Sequence, residues 1–169
     1  ESYTTASLTN AAGAASTTFT ATNDTLTGKY YLWVVPVSSN YVGDKLGNKN
    51  STTVKSTGTF YFDNEAPTIT LGANSNTTYA KSHSVTVTLA DARAGLAAGT
   101  NISVKYGWST TNTTEPESYT TASLTNAAGA ANTTFTATNN NLTGQYYLWV
   151  VPVSSNYVGD KLGNKNSTT

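Results

Sequence analysis

Residues 1–53 recur almost unchanged as residues 117–169. Only four positions differ: Ser16 against Asn132, Asp24 against Asn140, Thr25 against Asn141, and Lys29 against Gln145. The offset is 116 residues, and it constrains the fold more than any other feature of the chain. A period of about 20–50 residues marks a solenoid or propeller whose units fold only by stacking, whereas one near 116 is the size of a self-contained domain. The chain therefore reads as about one and a half units of a tandem array. The boundary is placed at the polar stretch Asp63-Asn64-Glu65-Ala66 before Pro67, between the apolar Phe60-Tyr61-Phe62 and Ile69-Thr70-Leu71. Residues 1–65 are then the C-terminal part of one repeat, and 66–169 most of the next, lacking its last strand.

Within a repeat the apolar residues alternate with a period of two, and no helical period appears. Val85, Val87 and Leu89 alternate with Thr86 and Thr88, and Ile102, Val104, Tyr106 and Trp108 alternate with Ser103, Lys105 and Gly107. The pattern predicts strands over 68–72, 84–90, 101–109, 118–124, 132–138 and 145–153, with a seventh at 54–62 seen only in the first copy. Residues 90–100 read as a loop with at most one turn, because two glycines in eleven residues disfavour a helix. Seven short strands in about 116 residues predict an all-β antiparallel sandwich of the immunoglobulin type.

Composition limits what such a domain does. Nine Lys and Arg balance nine Asp and Glu with no basic run, which removes the electrostatic footprint of a nucleic-acid or anionic-membrane binder. There is no Cys for a disulfide or thiolate metal site. The apolar run near Tyr30–Val37 is far short of the roughly 20 residues that span a bilayer. The 34 Thr, 17 Ser and 18 Asn suit an exported, extracellular surface protein more than a cytosolic enzyme. The single His, His83, lies beside a strand start and has no catalytic partner in sequence, and no nucleophile or metalloprotease motif occurs. The expectation is that the chain is not an enzyme.

The order Ala66-Pro67-Thr68-Ile69, Val104-Lys105-Tyr106-Gly107-Trp108-Ser109, Gly144-Gln145-Tyr146-Tyr147-Leu148-Trp149-Val150, Asp160-Lys161-Leu162-Gly163-Asn164 and Gly58-Thr59-Phe60-Tyr61-Phe62-Asp63-Asn64 resembles bacterial immunoglobulin-like tandem repeats. These occur in large cell-surface proteins and adhesins. The resemblance implies a structural or adhesive spacer whose partners are neighbouring repeats and a host or surface glycan or protein. Ser38–Gly43 departs from it, as an inserted loop before Asp44. A carbohydrate-binding module and a virion-associated decoration domain are the alternatives on the same fold.

Two candidate sites follow. Asp63, Asn64 and Glu65 set three oxygen-bearing side chains in a row at the linker, and Asp91, or Asp44 with Asn48, could add more at the same pole. Calcium takes six to eight oxygens, so these residues are either calcium ligands that stiffen successive domains or a solvated turn. No other cofactor is expected. The second site is an aromatic stripe. If Tyr30, Leu32 and Val34 face a core, then Tyr31 and Trp33 face outward, joined by Tyr61, as a sugar-stacking face or as the seat of a loop. Finally, a repeat lacking its last strand leaves an open sheet edge where another molecule could exchange a strand.

Overall fold

The structure is a computed structural model and describes residues 3–37, 41–72, 75–154 and 157–168. The chain divides into two compact units, Glu1–Asn64 and Glu65–Thr169. The first unit carries β1 (Gly28–Tyr30), β2 (Trp33–Val34), β3 (Val42–Gly43), β4 (Lys49–Asn50), β5 (Val54–Lys55) and β6 (Phe60–Phe62). The second carries β7 (Thr68–Leu71), β8 (His83–Ala90), β9 (Val104–Ser109), β10 (Thr120–Thr121), β11 (Asn132–Asn139), β12 (Tyr147–Pro152), β13 (Val158–Gly159) and β14 (Lys165–Asn166). Every pairing is antiparallel. Among the described residues the one helical element is a 3-10 turn, Gly99–Asn101, so none is long and apolar enough to cross a membrane.

The core belongs to the second unit. Its strands form two three-stranded sheets, ordered β11-β8-β7 and β10-β9-β12. Alternation on β8 leaves Ser84 and Thr86 exposed while Val87 and Leu89 are fully buried. They meet Ala137 of β11, Val104 of β9, Val150 of β12 and Val158 of β13 in one cluster, which Leu96, Ile102 and Leu124 close from the connections. Each large apolar side chain buried this way contributes about 1.5–3 kcal/mol. Gly107, in mid-strand on β9, is required by close approach: a Cβ there would lie 2.6 Å from the Ser118 carbonyl oxygen and 2.9 Å from Pro116 Cγ.

The first unit has strands without a core. None of its described residues is buried. Its three two-stranded ribbons pair β1 with β6, β2 with β5, and β3 with β4. Tyr30 and Leu32, expected on an inward face, are 38% and 39% exposed, because no second sheet lies against them within that unit.

Several strand expectations are corrected. The seventh strand, 54–62, is broken into β5 and β6, because Ser56 turns its hydroxyl to Gly58 O and to the Leu32 N–H in place of a continuous ladder. The strand expected at 101–109 starts at Val104, since the Gly99–Asn101 turn occupies its first residue. That expected at 118–124 shrinks to Thr120–Thr121. The inserted segment 38–43 lies partly outside the described residues, but Val42–Gly43 is strand β3, paired with β4.

Candidate functional site

Two buried aspartates, Asp91 and Asp160, build a hydrogen-bonded polar centre in the second unit. Asp91 follows β8 directly, and its Oδ1 accepts the backbone N–H groups of Arg93 at 3.0 Å and Gly95 at 2.7 Å. Gly95 sits at φ +77°, and a Cβ there would collide with the Gly129 carbonyl, so the turn admits only glycine. Asp160 caps the loop between β13 and β14. Its Oδ1 accepts from Leu162, Gly163 and Asn164 N–H groups at 2.8, 2.6 and 2.8 Å, and its Oδ2 from the Asn164 side-chain amide at 2.6 Å.

The loops are laced together. Lys161 donates its backbone N–H to Gly95 O at 2.8 Å, and Ala97 donates to Gly159 O at 2.9 Å. As a result the two carboxylates bring oxygens within 4.8 Å of one another, in residues only 6% and 3% exposed. Two full charges at that distance repel by about 3 kcal/mol at an effective dielectric of 20. The converging backbone N–H groups offset part of this, and a cation between the carboxylates would offset more.

The four residues expected as calcium ligands fall at the end of the first unit and in the second. Asp63 and Asn64 end the first unit, where Asn64 donates its side-chain amide to Leu26 O at 2.6 Å and its backbone N–H to Thr27 Oγ1 at 3.2 Å. Glu65 opens the second unit in an ion pair with Arg93. Asp91 is brought to Asp160, which the sequence marked only through its first-copy counterpart, Asp44. Asp44 makes the same loop, accepting from Leu46 N, Asn48 N and Asn48 Nδ2, but on an exposed ribbon. The Asn48 amide, followed by the backbone donors, holds the Asp44 carboxyl below its ordinary range.

The aromatic stripe lies in the first unit, with Tyr31 44%, Trp33 50% and Tyr61 76% exposed. The Lys55 ammonium lies 4.2 Å from the Tyr31 ring centre and 5.4 Å from that of Trp33, which partly occupies the face. In the second copy Trp149 is half-buried and its indole N–H donates to Thr111 O at 3.4 Å, so a loop covers the equivalent ring. Nearby, Lys105 lies 4.1 Å from the Tyr119 ring centre. Tyr119 donates its hydroxyl to Glu115 at 2.6 Å, and burial, then Glu115, push its phenol up to about 12. His83 is half-buried at the start of the central strand β8, opposite Asn139.

Comparison with family models, curated proteins and solved structures finds no match to this chain.

Proposed function

We propose that the chain is a structural element: tandem immunoglobulin-like β-sandwich repeats that serve as a spacer in a long bacterial cell-surface protein. The observation that carries this reading is the recurrence of residues 1–53 at 117–169, one domain length away. Near-identical copies add reach without adding chemistry. The reading is supported by a core shared between two antiparallel three-stranded sheets and by a sequence whose nine Lys and Arg balance nine Asp and Glu. Exposed Tyr31, Trp33 and Tyr61 favour carbohydrate binding as the alternative.

Pulling single molecules from their ends distinguishes the two. The spacer predicts one dominant force peak as the second unit, Glu65–Thr169, opens, freeing a segment whose extended length is roughly 350–380 Å at 3.3–3.6 Å per residue. Extension without a force peak, together with glycan binding that Trp33→Ala abolishes, would make the chain a binding module instead.

The proposal includes a calcium ion held by Asp91 and Asp160. Carboxylates are suitable hard donors, and each aspartate offers one oxygen toward the six to eight that calcium takes, with carbonyls and water completing the set. Millimolar calcium should then raise the melting temperature of the second unit by about 5 °C or more, EDTA should reverse the rise, and Asp91→Asn should remove it. A melting temperature indifferent to both calcium and chelator would end the calcium assignment and leave the spacer reading standing.

A further inference from the structure

The second unit carries six Asn-x-Ser/Thr triplets, the acceptor sequence for N-linked glycans, at Asn76, Asn101, Asn112, Asn132, Asn141 and Asn166. Strand direction sorts them by pole. Ala90 pairs with both Thr68 and Asn132, so β7 and β11 begin where β8 ends, beside Asp91. Val104 pairs with Pro152, and from there the chain runs through β13 to Asp160, so β9 begins at that pole too. The segments that leave Leu71, Ser109 and Asn139 therefore start at the opposite pole. Asn76, Asn112 and Asn141 lie on those three segments, whereas Asn101, Asn132 and Asn166 lie toward the aspartate pole.

Accessibility divides along the same line. A glycan transferase needs both the Asn amide nitrogen and the hydroxyl two residues on. Asn76-Thr77-Thr78, Asn112-Thr113-Thr114 and Asn141-Leu142-Thr143 are exposed at all three positions and lie outside the strands. At Asn76 the fold engages the oxygen, Oδ1 accepting the Thr78 N–H at 2.9 Å. The other three triplets are closed in different ways. Asn132, Thr133 and Thr134 are held in the β11 ladder opposite Ala90, Leu89 and Thr88. Ser103, the hydroxyl residue for Asn101, is half-buried, and its backbone bonds to Tyr157 O and to the Val153 N–H. Asn166 donates the nitrogen that would carry the sugar to Pro67 O at 2.8 Å.

The two copies of the repeat differ at this corner in a telling way. Asn23-Asp24-Thr25 is a triplet whose counterpart, Asn139-Asn140-Asn141, is not. Conversely, Asn141-Leu142-Thr143 is a triplet whose counterpart, Thr25-Leu26-Thr27, is not. The same stretch keeps one acceptor in each copy, displaced by two residues.

We propose that Asn76, Asn112 and Asn141 are N-glycan attachment sites of the folded domain, grouped at the pole opposite Asp91 and Asp160. The co-substrate is a saccharide carried on a polyprenyl pyrophosphate. Asn Nδ2 attacks the anomeric carbon, the bond from that carbon to the pyrophosphate oxygen breaks with its electron pair leaving on the pyrophosphate, and the amide gives up one proton. A glycan is bulky and hydrated, and at these three positions it displaces nothing that the core or the aspartate loops need. Spacer or binding module, the domain presents the same three acceptors.

Asn76, Asn112 and Asn132 are each followed by Thr-Thr, so a comparison among them is free of sequence preference within the triplet. The folded chain is incubated with a lipid-linked oligosaccharide and a purified single-subunit oligosaccharyltransferase that reads Asn-x-Ser/Thr, and mass spectrometry of proteolytic peptides gives the occupancy at each Asn. Asn76, Asn112 and Asn141 should be occupied about tenfold or more above Asn101, Asn132 and Asn166, because a closed triplet is reached only when its surroundings open locally. Synthetic peptides spanning Asn76, Asn112 and Asn132 should be accepted alike. Thr78→Ala, Thr114→Ala and Thr143→Ala should each erase one glycan, and Thr78→Ser should retain it. Equal occupancy of Asn132, Asn76 and Asn112 in the folded chain would overturn the proposal. So would bare Asn76, Asn112 and Asn141 in a chain whose peptides are accepted.

Discussion

Asp160→Ala should lower the stability of the second unit by about 3 kcal/mol, whereas Asp44→Ala, the same change one repeat earlier, should have a far smaller effect. Asp160 is 3% exposed and accepts four hydrogen bonds that fold its loop. Removing the carboxylate leaves the donors without partners in a buried loop, at about 1–3 kcal/mol for each group that water does not reach. Asp44 makes the same kind of cap, but on an exposed ribbon where water replaces it. Urea unfolding in EDTA, monitored for each unit, measures both and excludes any contribution from bound cation. Asp160→Asn keeps an acceptor oxygen and should recover most of the loss. If Asn is as damaging as Ala, the charge rather than the hydrogen bonds holds the loop.

Leu96→Ala should cost about 3 kcal/mol, within the 2–5 kcal/mol that follows removal of a buried leucine. Leu96 is fully buried although it sits in a segment with no long strand or helix. Its backbone is held by one segment, with its N–H donating to Ala130 O at 2.8 Å and its C=O accepting from Gly129 at 2.7 Å, while the flanking Gly95 and Ala97 bond to Lys161 and Gly159. A side chain held this way has little freedom to collapse into the space left behind. Chemical denaturation gives the value, and a loss under about 1 kcal/mol would mean that this connection does not seal the core.

The sequence revealed elements whose evidence was periodic. Val85, Val87 and Leu89, and the alternating Thr and Phe of 132–138, form β8 and β11 nearly as expected, because one face of each meets apolar neighbours. Residues 54–62 look equally strand-like, yet Ser56 diverts the ladder through its hydroxyl, a competition that periodicity does not register. The loop 90–100 was legible as a loop but not as a carrier of core. The Asp91–Asp160 pair was hidden for a related reason. Each aspartate is recognisable as a turn former, but 69 residues separate them, and only the packing of two loops under one core brings their carboxylates within 4.8 Å.

The duplicated stretch separates what is local from what is not. The sequence by itself set the turns. Tyr41 and Tyr157 adopt φ values of 47° and 54°, Gly47 and Gly163 adopt 89° and 100°, and Asp44 and Asp160 cap their loops with the same partners. A turn closes its hydrogen bonds within about five residues and needs nothing from elsewhere. The strands were decided by tertiary structure. Residues 132–139 form β11 against β8, with Phe135 stacked 5.8 Å from Tyr106, whereas residues 16–23, differing only at Ser16, form no strand and leave Phe19 46% exposed. A strand's backbone groups are satisfied only by a neighbouring strand and its side chains only by a core, and within its own unit the first copy has no counterpart of β8 to supply either.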